Sequence, residues 1–304
     1  MSRIIVTGGL GFIGSEFVNY VMNNTDHEVV VLDKMTYAAN IDNIKQPFHL
    51  IKKDICKVTQ DDLGDYDYIV NFAAETHVDN SILNGRPFVE TNVMGTFNLL
   101  ELARKNNKLK KFLQISTDEV YGDMEDNDEN NRISTEEFPM KASSYYSATK
   151  VSSDMLVISA NRTYGLPYLI TRTCNNFGEH QNNEKFIPKI ISSIKNGVEV
   201  PVYGDGSQVR EWIHASDNVK QIYKLLVSDV VNEVYNIGSG ERYQNIDIIN
   251  MIGNILGTDV KYKFVEDRLG HDKRYSLSSN KFRNTFGEYE CIKLHKWLEE
   301  IIVK

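Results

Sequence analysis

The sequence predicts an α/β protein built on a doubly wound parallel sheet, with a smaller mixed C-terminal lobe. Three observations carry that prediction. Short β-branched runs alternate with longer amphipathic segments over the first two-thirds of the chain, the order that a parallel sheet wound by right-handed crossovers requires. The runs are nearly continuous in Ile, Val and Leu, as in strands covered on both faces. A glycine-rich turn, "VTGGLGFIGS" (6–15), joins the first run to the first amphipathic segment.

Strands are predicted at "RIIVTG" (3–8), "EVVVLD" (28–33), "FHLIKKD" (48–54), "YIVNFAA" (68–74), "KFLQIST" (111–117) and "YLITRT" (168–173). Helices fall between them, roughly at 12–24, 88–106 and 145–164. Beyond about residue 175 the pattern turns irregular. Short strands near 200–203, 209–213, 234–237 and 260–265 mix with helices near 185–196, 216–228, 245–256 and 293–303. The expected division is residues 1–174 for a cofactor lobe and 175–304 for a smaller, interleaved substrate lobe, with segments near 209–240 returning to the first. The acidic stretch "GDMEDNDENNRISTEEFP" (122–139) is a loop, either a lid or a surface excursion.

Composition narrows the function classes. A chain of 304 residues with 41% hydrophobic content can bury a full core. The net charge is −8 and no Lys/Arg block exceeds short pairs such as Lys110-Lys111, which argues against nucleic acid and anionic membranes as partners. Cys56, Cys174 and Cys291 lie far apart without CxxC spacing, as in a reducing compartment. The histidines show no HxxxH or HxH pattern, so no metal is expected. "MSRIIVTGG" runs directly into a strand without a signal-peptide pattern, and no apolar run nears membrane-spanning length. A cytoplasmic protein is the expectation.

In the glycine turn, Gly8, Gly11 and Gly14 have GxxGxxG spacing. Residues without side chains allow the tight turn and let backbone N–H groups approach a pyrophosphate, which the positive end of the following helix also favours. The second strand closes on Asp33, where an acid accepts bonds from the adenosine ribose hydroxyls and opposes a 2′-phosphate. NAD is therefore expected over NADP, a preference that Lys34 directly afterwards weakens.

The GxxGxxG spacing resembles the extended branch of the short-chain dehydrogenase/reductase superfamily, with its Rossmann-type fold. That resemblance demands a Tyr and a Lys four residues apart on a helix, and "YYSATK" supplies Tyr146 and Lys150. At this spacing both share one helix face. A phenol is a poor base at neutral pH; a neighbouring ammonium and an oxidised nicotinamide both favour the phenolate. The pair could then take a proton from a sugar hydroxyl while a hydride leaves the same carbon. Tyr145 points off this face.

"STDEVYG" (116–122) places two carboxylates at the exit of a buried strand. Extended-branch enzymes that only epimerise a nucleotide sugar usually carry small hydroxyl residues there, so the difference implies a second proton transfer. Once C4 of a hexose is a ketone, the C5 hydrogen is acidic. Glu119 could remove it, while Asp118 protonates the C6 hydroxyl so that water leaves; Thr117 would hydrogen-bond the C4 oxygen. Paired carboxyls divide such labour because repulsion and unequal burial push their pKa values apart.

From Arg3 to about Ser278 the chain resembles the dTDP-glucose 4,6-dehydratase family. The shared motifs include "TGGLGFIGS", "DKMTYAANIDNI", "FAAETHVDNSI", "ETNVMGT", "STDEVYGD", "YYSATK", "NNFG", "EKFIP", "VYGDGSQVREWIH" and "DRLGHDKRY". The resemblance implies that Phe12, Ile13, Asp33, Lys34, Met35, Thr36, Asp54 and Ile55 line the dinucleotide. It places Ala73, Ala74, Glu75, Thr76 and Thr91 along it, with Asn176 near the nicotinamide end. Thr76 also offers the sugar a hydroxyl. Substrate phosphates and base would meet Asn175, Glu184, Lys185, Pro201, Val202, Tyr203, Arg210, Asn245, Asp267, Arg268, Leu269, Gly270 and His271. The planar guanidinium of Arg210 and of Arg268 suits a diphosphate, and Tyr203 could stack on the base. The chain departs from the family at Asn182-Asn183, at Leu269 and at His214, which leaves thymine and uracil nucleotides both open as carriers. The resemblance also implies a homodimer formed through the helices near 88–106 and 145–164. Competing readings are the same dehydration on UDP-glucose, a nucleotide-sugar 4-epimerase with Asp118 and Glu119 as spectators, and a non-catalytic NAD-binding scaffold.

Overall fold

A computed structural model describes residues 1–124 and 133–303, so the question of a lid at 122–139 falls partly on residues 125–132, outside the described residues. The strands, in chain order, are β1 (Arg3–Thr7), β2 (Glu28–Asp33), β3 (His49–Lys52), β4 (Tyr68–Asn71), β5 (Lys111–Thr117), β6 (Tyr168–Thr173), β7 (Asn175–Phe177), β8 (Val200–Tyr203), β9 (Val209–His214), β10 (Glu233–Ile237), β11 (Arg242–Gln244) and β12 (Tyr262–Val265). The helices are α1 (Phe12–Asn24), α2 (Gln60–Leu63), α3 (Val78–Leu83), α4 (Arg86–Phe88), α5 (Thr96–Ala103), α6 (Tyr145–Tyr164), α7 (Phe186–Lys195), α8 (Ala215–Val227), α9 (Asn245–Leu256), α10 (Asn280–Phe286) and α11 (Leu294–Val303).

Seven strands form one parallel sheet in the order β10-β6-β5-β4-β1-β2-β3. Alternation along each strand divides its side chains between two cores. Ile4, Val6, Val29, Val31, Leu113, Ile115 and Leu169 face one side, where Phe17 and Val21 of α1 meet Val219 and Ile222 of α8. Ile5, Val30, Leu32, Phe112 and Ile170 face the other, under Leu99 of α5 and Val157 of α6. The doubly wound sheet expected from the sequence is present, with β3 and β4 shorter than the runs 48–54 and 68–74: Phe72, Ala73 and Ala74 line the cleft, and Asp54 accepts the Cys56 N–H in a turn. Strand order reverses between β1 and β4, and such a reversal opens a crevice at the carboxyl ends of the strands.

The smaller lobe holds the three-stranded sheet β11-β9-β7 and the pair β12-β8. Its core joins Phe177, Ile187, Ile190, Trp212, Ile249, Trp297 and Leu298 from strands and from α7, α9 and α11. Two pieces of the later chain serve the large sheet: α8 covers one face and β10 pairs in register with β6.

The helix expected at 88–106 is interrupted. Between α4 and α5, residues Val89–Gly95 form a π-helical stretch, a widening that often accompanies functional sites. It turns Thr91 and Asn92 inward together. Asn92 accepts the Glu75 N–H at 2.8 Å, donates to Thr149 Oγ1 at 2.9 Å, and its carbonyl accepts Ser153 Oγ at 2.6 Å, fixing this segment against α6.

Candidate active site

The crevice at the strand reversal is lined on one wall by Gly8, Gly11, Phe12, Ile13, Gly14 and Asp33, and on the other by Ala73, Ala74, Glu75, Thr76 and Thr91. Gly8 has φ +64°, and a Cβ there would stand 2.7 Å from the Ala73 nitrogen. A Cβ on Gly14 would collide with the Gly8 carbonyl oxygen. The turn is therefore as tight as backbone alone permits. Gly11 caps α1 without a side-chain hydrogen bond, so the first N–H groups of the helix face the crevice, as a pyrophosphate requires. Asp33 is buried at the far end; its carboxylate accepts the N–H groups of Leu10 (3.1 Å) and Met35 (2.7 Å). Lys34 is tied to Glu75 at 3.0 Å and to Thr91 Oγ1 at 3.1 Å. That pairing spends the positive charge that would otherwise attract a 2′-phosphate. The cradle fits a dinucleotide with a free ribose diol. Thr36, Ile55 and Asn176 also line it, whereas Met35 and Asp54 do not: Met35 turns outward at φ +58°, and the Asp54 carboxylate accepts the Cys56 N–H within its own turn.

Tyr146 and Lys150 enter the same crevice from the first turns of α6. A reciprocal Ser144–Ser147 capping box starts this helix and Gly165, in the left-handed region, ends it. The ammonium of Lys150 donates to the Ile115 carbonyl at 2.6 Å. Burial lowers its pKa to about 8, opposed by Asp154. Burial and then Glu119 hold the Tyr146 phenol far above its ordinary value, with a hydrogen bond to Thr117 pulling the other way.

The strand β5 delivers Thr117, and a turn of 3₁₀ helix carries Asp118 and Glu119. Thr117 Oγ1 accepts the Glu119 N–H (3.3 Å) and donates to Asp118 Oδ1 (3.1 Å). The two carboxyls have different surroundings. Asp118 is 3% exposed; burial, then the Glu119 charge, holds it well above the usual carboxylate range. Glu119 is half-buried. Burial raises it too, but Arg268 and Arg210, and more weakly Lys185, pull it back toward the ionised form. Both carboxyls are held above their ordinary values, Asp118 well above and Glu119 with two arginines opposing the rise, an inequality that an acid–base pair can use.

The second end of the crevice belongs to the small lobe. Asn175, Glu184 and Lys185 line it, and Lys185 donates to Thr76 Oγ1 at 3.3 Å. Arg210 lies 4.2 Å over the Tyr275 ring and donates to the carbonyls of Val209 and Asp272. Arg268 approaches Asp79 at 3.5 Å, and Tyr203 donates to the same carboxylate at 3.4 Å. His271 meets Asp267 at 2.6 Å and the edge of the Tyr203 ring. Gly270 has φ +63° against the Ser143 carbonyl. Pro201 and Leu269 are exposed, and Asn245 opens α9. Val202, expected at the substrate, instead has its side chain in the small-lobe core at 2% exposure, because alternation along β8 turns it inward. Sequence reasoning missed Cys174, Gln181 and Asp79. Gln181 and Cys174 line the crevice; Asp79 lay inside a quoted motif, "FAAETHVDNSI", and Gln181 directly before the departure at Asn182-Asn183.

The NAD dependent epimerase/dehydratase family model matches residues 4–238. A dTDP-glucose 4,6-dehydratase of Neisseria meningitidis is 40% identical, with 94% of this chain and 88% of that protein covered. The low-salt glycan biosynthesis protein Agl12 of Haloferax volcanii is 48% identical over 91% of this chain and 90% of its own length. Among solved structures, DesIV of Streptomyces venezuelae, a dTDP-glucose 4,6-dehydratase with NAD and TYD bound, superposes with a TM-score of 0.92 at 37% identity, covering 99% of this chain and 96% of that one.

Proposed function

The chain belongs to the NAD dependent epimerase/dehydratase family, and we propose that it is a hydro-lyase that converts dTDP-glucose to dTDP-4-keto-6-deoxyglucose. The observation that carries this reading is the Thr117–Asp118–Glu119 turn beside Tyr146, with its two carboxyls raised to unequal degrees. A 4-epimerase has no use for that second acid–base pair, and a scaffold has no use for either set.

NAD, when bound, accepts a hydride from C4 of the hexose, returns one to C6, and by the charge of its oxidised ring favours the Tyr146 phenolate. Gly11, Phe12 and Ile13 would present N–H groups to its pyrophosphate, and Asp33 would meet the adenosine ribose. Tyr146 takes the proton from the C4 hydroxyl while Thr117 hydrogen-bonds the same oxygen. The C4 ketone makes the C5 hydrogen acidic, and Glu119 removes it as a proton. Asp118, held protonated, gives its proton to the C6 hydroxyl, which departs as water, and Glu119 gives its proton back to C5 as the hydride enters at C6. Arg210 and Arg268, with Lys185, favour the Glu119 anion and also suit the diphosphate of the substrate. Tyr203, 40% exposed, offers a ring to the base.

The homodimer belongs to the same proposal. Val89 and Met94 of the π stretch, Phe97 of α5 and Met155 of α6 are exposed apolar side chains, an arrangement that marks a protein interface. The acidic charge and unpaired cysteines favour the cytoplasm; among the described residues no helix is long and apolar enough to cross a membrane. The product suits a deoxysugar pathway.

The test supplies dTDP-glucose and UDP-glucose in parallel and follows the loss of one water by mass. Preferred dehydration of dTDP-glucose is expected. Preference for UDP-glucose would overturn the carrier and leave the chemistry, and a C4 epimer without water loss would overturn the chemistry.

A further inference from the structure

On α6, Tyr146, Lys150 and Asp154 follow one another at intervals of four, so the three side chains share a face. Asp154 is fully buried and forms an ion pair at 3.0 Å with Arg172 of β6, itself buried. Arg172 lies 5.0 Å over the ring of Tyr121 and donates to its hydroxyl at 3.0 Å. Tyr121 donates to Asn236 of β10 at 2.8 Å, and the N–H of Asn236 donates to Glu136 at 2.8 Å. A chain of charge and hydrogen bonds therefore runs from the catalytic helix through the "STDEVYG" motif to the edge strand of the sheet.

A buried ion pair is a weak source of stability, because desolvation offsets most of the attraction. Its position supplies another reason for it: Asp154 lies one turn from Lys150 on the same helix face, and although burial raises its carboxyl, Arg172 and then Lys150 draw it back toward the anion. We propose that Asp154, steadied by Arg172, is a positioning residue that keeps the Lys150 ammonium charged where the Ile115 carbonyl holds it in the crevice. This rests on the reading of Lys150 as part of the catalytic pair. The groups facing Lys150 are Asp154 and Tyr146 on its own helix, Arg172 from β6, and Asp118 and Glu119 beyond Tyr146. Lys150 sits near a pKa of about 8, where a lost anion shows directly as a changed fraction of ammonium.

The experiment is the pH profile of kcat/KM for water loss from dTDP-glucose by the holoenzyme. In Asp154→Asn the alkaline limb should move to lower pH by about one unit, a roughly tenfold loss on that side, with activity recovering as pH falls. Asp154→Glu should restore the limb. Because Asp154→Asn strands the Arg172 charge, Asp154→Asn/Arg172→Met serves if the single variant does not fold; its limb should fall between those of the wild type and the single variant. An unmoved limb, or a loss equal at every pH, overturns the inference. Lys150→Met separates the two readings: full activity in that variant removes Lys150 from the catalytic pair, while its inactivity beside an unmoved Asp154→Asn limb removes only the role of Asp154.

Discussion

Replacing Glu119 with Gln should divide the reaction in two. Tyr146 and Lys150 remain in place, so oxidation at C4 should survive. It should even become easier, because Glu119 is the largest influence after burial that holds the Tyr146 phenol up. The elimination loses its base. A positioned general base contributes about 10²–10⁴-fold, or roughly 3–5 kcal/mol of barrier, and overall turnover should fall by that factor. Asp118 should not rescue the step: with the neighbouring charge gone its carboxyl moves toward its ordinary range, but it remains buried, and its proposed task is at the C6 hydroxyl. The assay mixes the variant with dTDP-glucose and follows the near-ultraviolet absorbance of reduced nicotinamide, which should rise toward one equivalent per site and decay slowly. Normal turnover without that accumulation would refute Glu119 as the base. Failure to form reduced nicotinamide at all would show that the carboxylate serves the first step.

Other substitutions probe other parts of the site. Tyr146→Phe should abolish the first oxidation, with no reduced nicotinamide after substrate is added; rapid formation would contradict its role as base. Asp118→Asn should be inactive yet more stable at neutral pH. The buried carboxyl keeps its proton at pH values where the unfolded chain, with an ordinary value near 3.8, has lost it; the native state then binds more protons, so stability falls as pH rises above that value. Asn escapes the loss, and thermal melts should show the gap widening from acid to neutral pH. Tyr37 donates to Glu184 at 3.1 Å across the mouth of the cofactor crevice. Tyr37→Phe should therefore release bound NAD about fivefold faster, the effect of one partly exposed hydrogen bond of about 1 kcal/mol, and dilution into cofactor-free buffer measures it. Phe97→Asp should shift the protein toward a monomer in sedimentation, through a charge placed on the exposed apolar stripe; an unchanged sedimentation profile would move the interface elsewhere.

The large sheet was legible because its strands are marked by composition: a β-branched run such as "EVVVLD" fits a pleated surface covered on both faces. The glycine turn, the Tyr146 and Lys150 spacing and the paired carboxyls were legible because their chemistry is local as well. What escaped depends on contacts across long stretches of chain. The π stretch at Val89–Gly95 follows from Asn92 bonding to Thr149 and Ser153 on another helix. The direction of the Lys150 ammonium depends on a carbonyl of β5. Val202 was misplaced because a motif names residues without saying which alternate side chain faces the core. Asp154 was within reach of the i, i+4 rule that found Lys150, but its partner Arg172 lies on a strand no periodicity connects to it.

The pairing of β10 with β6 has a consequence for synthesis. On the side away from β5, residues Leu169 to Thr173 find their neighbours in Glu233 to Ile237, and the strands of the small lobe, β7 to β9, leave the ribosome in between. Until then the nascent chain carries an open apolar edge at β6, the kind of edge that pairs with other chains. A fragment cut near residue 174, where the sequence suggests a boundary between lobes, would keep that edge permanently. It would also lack α8, whose last carbonyls hold the buried Lys111 of β5. The cofactor lobe is thus a unit of the finished molecule but not of the growing chain: it closes only after most of its neighbour has been made.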